Sequence, residues 1–324
     1  MKVTINITDT DMDLNRYAGP EDLQSFLREN RLDGLEFMPC MGTVLPEGWK
    51  DEDVVGVHLM YYHCWLDFWL GNTDALDREY GTRENWQMFY NGGTREGFLE
   101  VWRKQLKLAQ EIGAEYVVFH VSECSLEECL TYEPKHTDRQ VCQAACEIIN
   151  ELLEGEDYNF CFLVENLWWS GMNLMDNAVT KELLEGIRYP NKGIMLDTGH
   201  LLNTNPELKT QEEGVEYVHQ ILNRMGELTH YIKGIHLNMS LSGEYVRKTV
   251  LNPPVLTGDY WKRLSDLCPH IYTIDHHEPF TASNVGSILK RLEPQFVTFE
   301  YITQSREQHR EFLRRQWQAL GSPL

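Results

Sequence analysis

The sequence predicts an α/β fold, a single (β/α)8 TIM barrel spanning residues 1–324 with insertions over its C-terminal face. Three observations predict it. Short β-rich runs alternate with amphipathic helical segments from one end of the chain to the other. Several of those runs stay apolar until their last residue, as strands buried on both faces do. No low-complexity linker or fixed-period repeat divides the chain, and barrels of this kind fold as one unit at this length.

The elements follow in order. Val3 to Ile7 is the first strand. Pro20 suits a first helical position, and Leu23, Phe26 and Leu27 give Pro20 to Asn30 one apolar stripe. Gly34 to Phe37 and Val54 to His58 are the second and third strands, and an insertion rich in Trp and Tyr runs from Tyr61 to Gly93. Leu99, Trp102, Leu106 and Ala109 recur at helical spacing in Thr94 to Ile112, ahead of the fourth strand, Tyr116 to His120. Helices over Asp138 to Leu153, Thr180 to Ile187 and Glu213 to Met225 alternate with strands over Phe160 to Glu165, Gly193 to Asp197 and Ile232 to His236. A second insertion follows His236 and runs to Pro294, before the last strand, Phe296 to Glu300. Both insertions begin where a strand has just ended, so both are expected over the barrel mouth.

Composition narrows the partners. A formal net charge of -21 opposes phosphate backbones and anionic lipid, which are held by clustered Lys and Arg. Nucleic acid is therefore a disfavoured partner, and a small molecule the expected one. The eight cysteines form no Cys-x-x-Cys pair and read as reduced thiols. The N-terminus enters a strand directly and no run approaches ~18 apolar residues, so a cytoplasmic location without a membrane span is expected. Homo-oligomerisation stays open.

The third to eighth strands end, in order, with His58, His120, Glu165, Asp197, His236 and Glu300. Each has an ordinary reading alone: a core-edge histidine, a carboxylate paired with Arg, an Asp capping a turn. Together they do not, because a parallel barrel brings all its strand ends to one face, and carboxylates gathered there need a cation. Mixed imidazole and carboxylate ligation suits Zn, Mn or Fe better than Ca or Mg, so a divalent transition metal is expected. Asp197-Thr198-Gly199-His200 offers a further ligand, and Asp275-His276-His277-Glu278 offers two more from the second insertion.

Val164-Glu165-Asn166, Leu196-Asp197-Thr198-Gly199-His200, Gly234-Ile235-His236-Leu237-Asn238 and Thr298-Phe299-Glu300 resemble the xylose-isomerase-like barrel superfamily, which holds sugar isomerases, ketose epimerases and AP endonucleases of the endonuclease IV type. The epimerase branch implies one metal on Glu165, Asp197, His236 and Glu300, a substrate-contacting His200, and proton exchange by Glu165 and Glu300 next to a carbonyl. Gly171 departs from that branch, which often has an acidic residue there. The endonuclease branch implies three zinc ions on His58, His120, Glu165, Asp197, His200, His236, Asp275, His277 and Glu300. It opens on a His-Val-Ser and Gly-Gly pattern, where this chain has Asp9, Asp11 and Asp13. A metal-dependent isomerase or epimerase of a carbohydrate-like substrate is the first expectation, and a multi-metal hydrolase or phosphoesterase the second. Trp65, Phe68, Trp69, Trp86, Phe89, Trp168 and Trp169 have two readings, rings that stack on a sugar or small organic substrate and rings that pack in the core or a lid, with Trp168 taken as a substrate contact.

Overall fold

A strand buried on both faces sends alternate side chains into the barrel and against the helices. The computed structural model, which describes residues 1–322, does this with eight parallel strands. They are β1 (Lys2–Thr8), β2 (Gly34–Met38), β3 (Val54–His58), β4 (Tyr116–His120), β5 (Cys161–Glu165), β6 (Lys192–Asp197), β7 (Ile232–His236) and β8 (Phe296–Phe299). The barrel closes because β1 pairs with both β2 and β8. Tyr116, Val118, Cys161, Leu163, Met195 and Phe296 fill its interior, while Val117, Phe162, Val164, Leu196, Ile235 and Val297 belong to the larger core under the helices.

Register then aligns the ends. His120 lies opposite Glu165 across β4 and β5, and Asp197 lies opposite His236 across β6 and β7. Each is two residues beyond an inward-facing position of its own strand, so all four project at one level of the mouth.

The helices follow the sequence reading, with boundaries set by caps. The one expected from Thr180 begins at Asn177, because the Asp176 side chain accepts from the Ala178 N–H at 2.8 Å. Thr210 and Glu213 form a capping box that starts the next helix at Gln211. Gly171 sits in a two-stranded antiparallel ribbon, Ser122–Glu123 with Ser170–Gly171, that ties the loops after β4 and β5. Its φ is +135°, and a Cβ there would meet the Val121 carbonyl oxygen at 2.2 Å, so no side chain fits.

The insertions stand over the C-terminal face. The first holds three short helices, Leu66–Leu70, Thr73–Tyr80 and Arg83–Phe89. The second holds Gly243–Leu251, Tyr260–Ile274 and Gly286–Leu292. They clasp each other: the Tyr260 ring packs 4.3 Å from Tyr80, and Arg263 Nη2 donates to the Glu79 carbonyl at 2.6 Å. All eight cysteines are free, and among the described residues no helix is long and apolar enough to cross a membrane.

Candidate metal centre

The nine residues expected as ligands converge on the mouth as three connected groups. His58, His120 and Glu165 form the first, with both histidine Nε2 atoms 3.2 Å from Glu165 Oε2. Glu165, Asp197, His236 and Glu300 form the second, in which His236 Nδ1 lies 3.2 Å from Glu165 Oε1, 3.8 Å from Asp197 and 3.3 Å from Glu300. Asp275 gathers the third, its Oδ2 lying 3.1 Å from His200 Nε2 and 2.7 Å from His277 Nε2. Glu165 thus turns one oxygen to each of two groups.

Local structure explains each position. Asp197 ends β6 and caps the helix Thr198–Asn203: its Oδ1 accepts from the His200 N–H at 2.6 Å, and Oδ2 stays with the cluster. Gly199 is required there, since a Cβ would come within 1.8 Å of Asn238 Oδ1. His277 takes a left-handed backbone, φ +46°, which costs a non-glycine residue about 1–2 kcal/mol. A backbone bridge between Met239 and Glu278 holds that loop in place.

The histidines are prepared for a cation. His58 Nδ1 donates to the Leu59 carbonyl at 3.0 Å and His200 Nδ1 to that of Asn166 at 2.9 Å, while His236 Nε2 donates to Glu36 at 3.0 Å. Each ring therefore spends its proton on an anchor and turns its other nitrogen to a carboxylate, the arrangement that orients metal-bound imidazole. Glu165 Oε1, His236 Nδ1 and His277 Nδ1 are buried without a hydrogen-bond partner among the described residues. Ligand atoms around a tetrahedral ion with 2.1 Å bonds stand about 3.4 Å apart, close to the spacings seen here. The donor set fits divalent transition metals.

Charge points the same way. Burial pushes the Asp197 carboxyl up to about 7, with Glu300 and Glu165 adding to the push and His200 opposing it. Burial also works against Glu300 and Asp275, but the imidazoles facing them hold both below the usual carboxylate range. Against burial, which lowers it, Asp275 and Glu300 lift the His277 imidazole to about 9. The cluster demands positive charge, whether from protons or from metal.

The sequence matches the family model of the xylose isomerase-like TIM barrel over residues 50–316. The chain belongs to that family. No curated protein matches it. Among solved structures, this xylose isomerase-like barrel is similar to a D-tagatose 3-epimerase-like protein, at 15% identity and TM-score 0.54 over 99% of this chain and 98% of that one. It is similar also to endonuclease IV from Thermus thermophilus, at 13% identity and TM-score 0.52 over 99% of each chain. A third is the IolI protein with a bound zinc atom, at 10% identity and TM-score 0.56 over 100% of this chain and 99% of that one.

Two features of this family member were not legible in its sequence. Glu36, buried in mid-β2, accepts from His236 Nε2 at 3.0 Å, Tyr116 Oη at 2.6 Å and Thr298 Oγ1 at 2.8 Å. The only signal for it is a charge inside the apolar run Gly34-Leu35-Glu36-Phe37. The second is a cavity of about 210 Å³ beside the ligands, reaching His120, His200 and Asp275. Trp168 and Trp169 line it, and the Trp168 ring stands 5.3 Å from His200. Of the two readings of the other rings, packing holds: Trp65, Phe68, Trp69 and Trp86 are buried within the first insertion, and Phe89 packs on Tyr62 and Tyr80. Their indoles are committed there, Trp65 Nε1 to the Ser122 carbonyl, Trp69 Nε1 to Glu147 and Trp86 Nε1 to Asp77.

Proposed function

We propose that this chain is a multi-metal hydrolase of small esters, phosphoesters foremost. The observation that carries the reading is Glu165, fully buried, with one oxygen turned to His58 and His120 and the other to His236. A carboxylate shared in this way suits two adjacent ions, and His200, Asp275 and His277 are suited to a third. Ions so held supply Lewis acidity and make water more acidic. The chain's residues do the rest. Glu36, the Leu59 carbonyl and the Asn166 carbonyl fix the imidazoles, and Glu300, the most exposed carboxylate of the second group at 13%, serves as proton acceptor. Water adds across the ester: a new oxygen bond forms at phosphorus or carbonyl carbon, the ester bond breaks, and the proton leaves with the alcohol. Duplex DNA is not the proposed substrate, given a net charge of -21 and a cavity lined by no Lys or Arg.

A second reading is a one-metal epimerase of a carbohydrate-like substrate, using Glu165 and Glu300 as paired bases and His200 and Trp168 as substrate contacts. It is favoured by the completeness of the second group alone and by the likeness to a D-tagatose 3-epimerase-like protein. The burial of both Glu165 oxygens and the ribbon-bound Gly171 favour hydrolysis instead.

Elemental analysis of protein purified without chelator separates the two. Two or three transition-metal ions per chain with turnover of aryl phosphates is the expected result. One ion, with solvent-hydrogen exchange into a ketohexose, would give the epimerase reading, and no transition metal would remove both.

A further inference from the structure

We infer that the arm of the substrate carried beside the reacting bond is an uncharged aromatic or branched-alkyl group, taken into the cavity next to the ligand cluster. The inference rests on the hydrolase reading only for which bond is cut.

The wall of that cavity is a helix stripe. Leu264, Leu267 and Ile271 recur at three- and four-residue spacing along Tyr260–Ile274 and line the cavity, Leu267 also belonging to the main core and Leu264 and Ile271 packing against it. Leu126, Leu167 and Trp168 face them. A cavity of about 150 Å³ lined by Leu, Ile and Phe stays dry and binds benzene, so about 210 Å³ admits a ring with a short substituent.

Some polar groups of the wall are occupied within the protein, while the Trp168 Nε1 donor is buried without a partner among the described residues. His63 Nδ1 bonds the Cys124 carbonyl at 3.0 Å and Nε2 lies 3.1 Å from Tyr260 Oη, while Cys124 Sγ is 3.2 Å from Cys129 Sγ. A sugar in this space would turn part of its hydroxyls toward the Leu and Ile side chains, and each hydroxyl left there without a partner costs about 1–3 kcal/mol. No Lys or Arg reaches the lining to hold an anionic arm. His120, His200 and Asp275, which belong to the candidate ligand cluster, are part of the lining, so the reacting bond would lie on their side of the space.

The approach is apolar as well. Tyr61 and Tyr272, both lining the cavity, are 49% and 58% exposed.

Calorimetric titration of the purified metal-loaded protein with 2-phenylethanol tests this, with D-tagatose and methyl phosphate as the polar and anionic comparisons. Phenylethanol is expected to bind more tightly than either. Leu264→Arg, at a half-buried position, should weaken it at least tenfold while metal content and melting temperature hold. Trp168→Ala supplies the same readout should the arginine variant fail to fold. Tighter binding of the sugar or of methyl phosphate, or phenylethanol binding that neither variant weakens, would overturn the inference. Phenylethanol binding intact beside a single metal ion per chain would overturn the hydrolase reading and leave the inference standing.

Discussion

The two insertions occupy the same face of the barrel and use their apolar side chains in opposite ways. The first turns Trp65, Phe68, Trp69 and Trp86 inward and extends the main core with them, held by indole hydrogen bonds and by Arg95 stacked 4.0 Å over Trp69. The second leaves Leu264 and Ile271 half-buried along an open cavity. The first insertion gives Tyr61, Tyr62 and His63 to the cavity's lining and keeps its Trp rings for packing, so aromatic content alone does not tell which side chains face the cavity.

Trp69→Ala presses hardest on that difference. It removes a ring only 2% exposed and should cost about 3–5 kcal/mol in denaturant unfolding, with phenylethanol binding retained. Binding lost without a loss of stability would mean that Trp69 serves the pocket and not the core.

A pH effect of similar size is expected where the first insertion meets the ribbon after β4. The Glu123 carboxylate accepts from the Trp65 and Leu66 N–H groups at 2.7 and 3.1 Å, and burial pushes its pKa from 4.5 up to about 7, against those hydrogen bonds. A carboxyl whose pKa is raised on folding favours the folded state most below its unfolded pKa, and that contribution is lost as pH rises through the folded value. Unfolding free energy should therefore fall by on the order of 3 kcal/mol between pH 4.5 and pH 7 from this group. Glu123→Gln should flatten that slope; an unchanged slope would show that Glu123 does not titrate there.

Beneath both insertions, Glu36→Gln should weaken metal affinity by roughly 10–100-fold without changing the cavity's ligand binding. Competition with a chelator measures it, and unchanged affinity would dismiss Glu36 as an orienting group. The smallest effect belongs to the second insertion: Tyr272→Ala, at a residue 58% exposed, should move stability by no more than about 0.5 kcal/mol while weakening phenylethanol binding.

The barrel and the convergence of these side chains at its mouth were legible because two periodicities govern them. Parallel strands share one C-terminal face, and a repeat of two sets which side chain reaches it, so His58, His120, Glu165, Asp197, His236 and Glu300 follow from strand ends alone. Asp275 and His277 stood out by their density in an insertion already expected over the mouth. Glu36 did not, because it lies mid-strand and acts through His236. The helix Tyr260–Ile274 was hidden by Pro269 in its interior. Which ring fills a core and which lines a cavity is decided by packing between segments far apart in the chain, and a pattern within one segment carries no record of that.

Anomalous diffraction from crystals of metal-loaded protein tests the shared carboxylate most directly. A peak between His58, His120 and Glu165, with a second among Glu165, Asp197, His236 and Glu300, is the predicted result. A single peak at the second group, with His58 and His120 turned away from any ion, would contradict it.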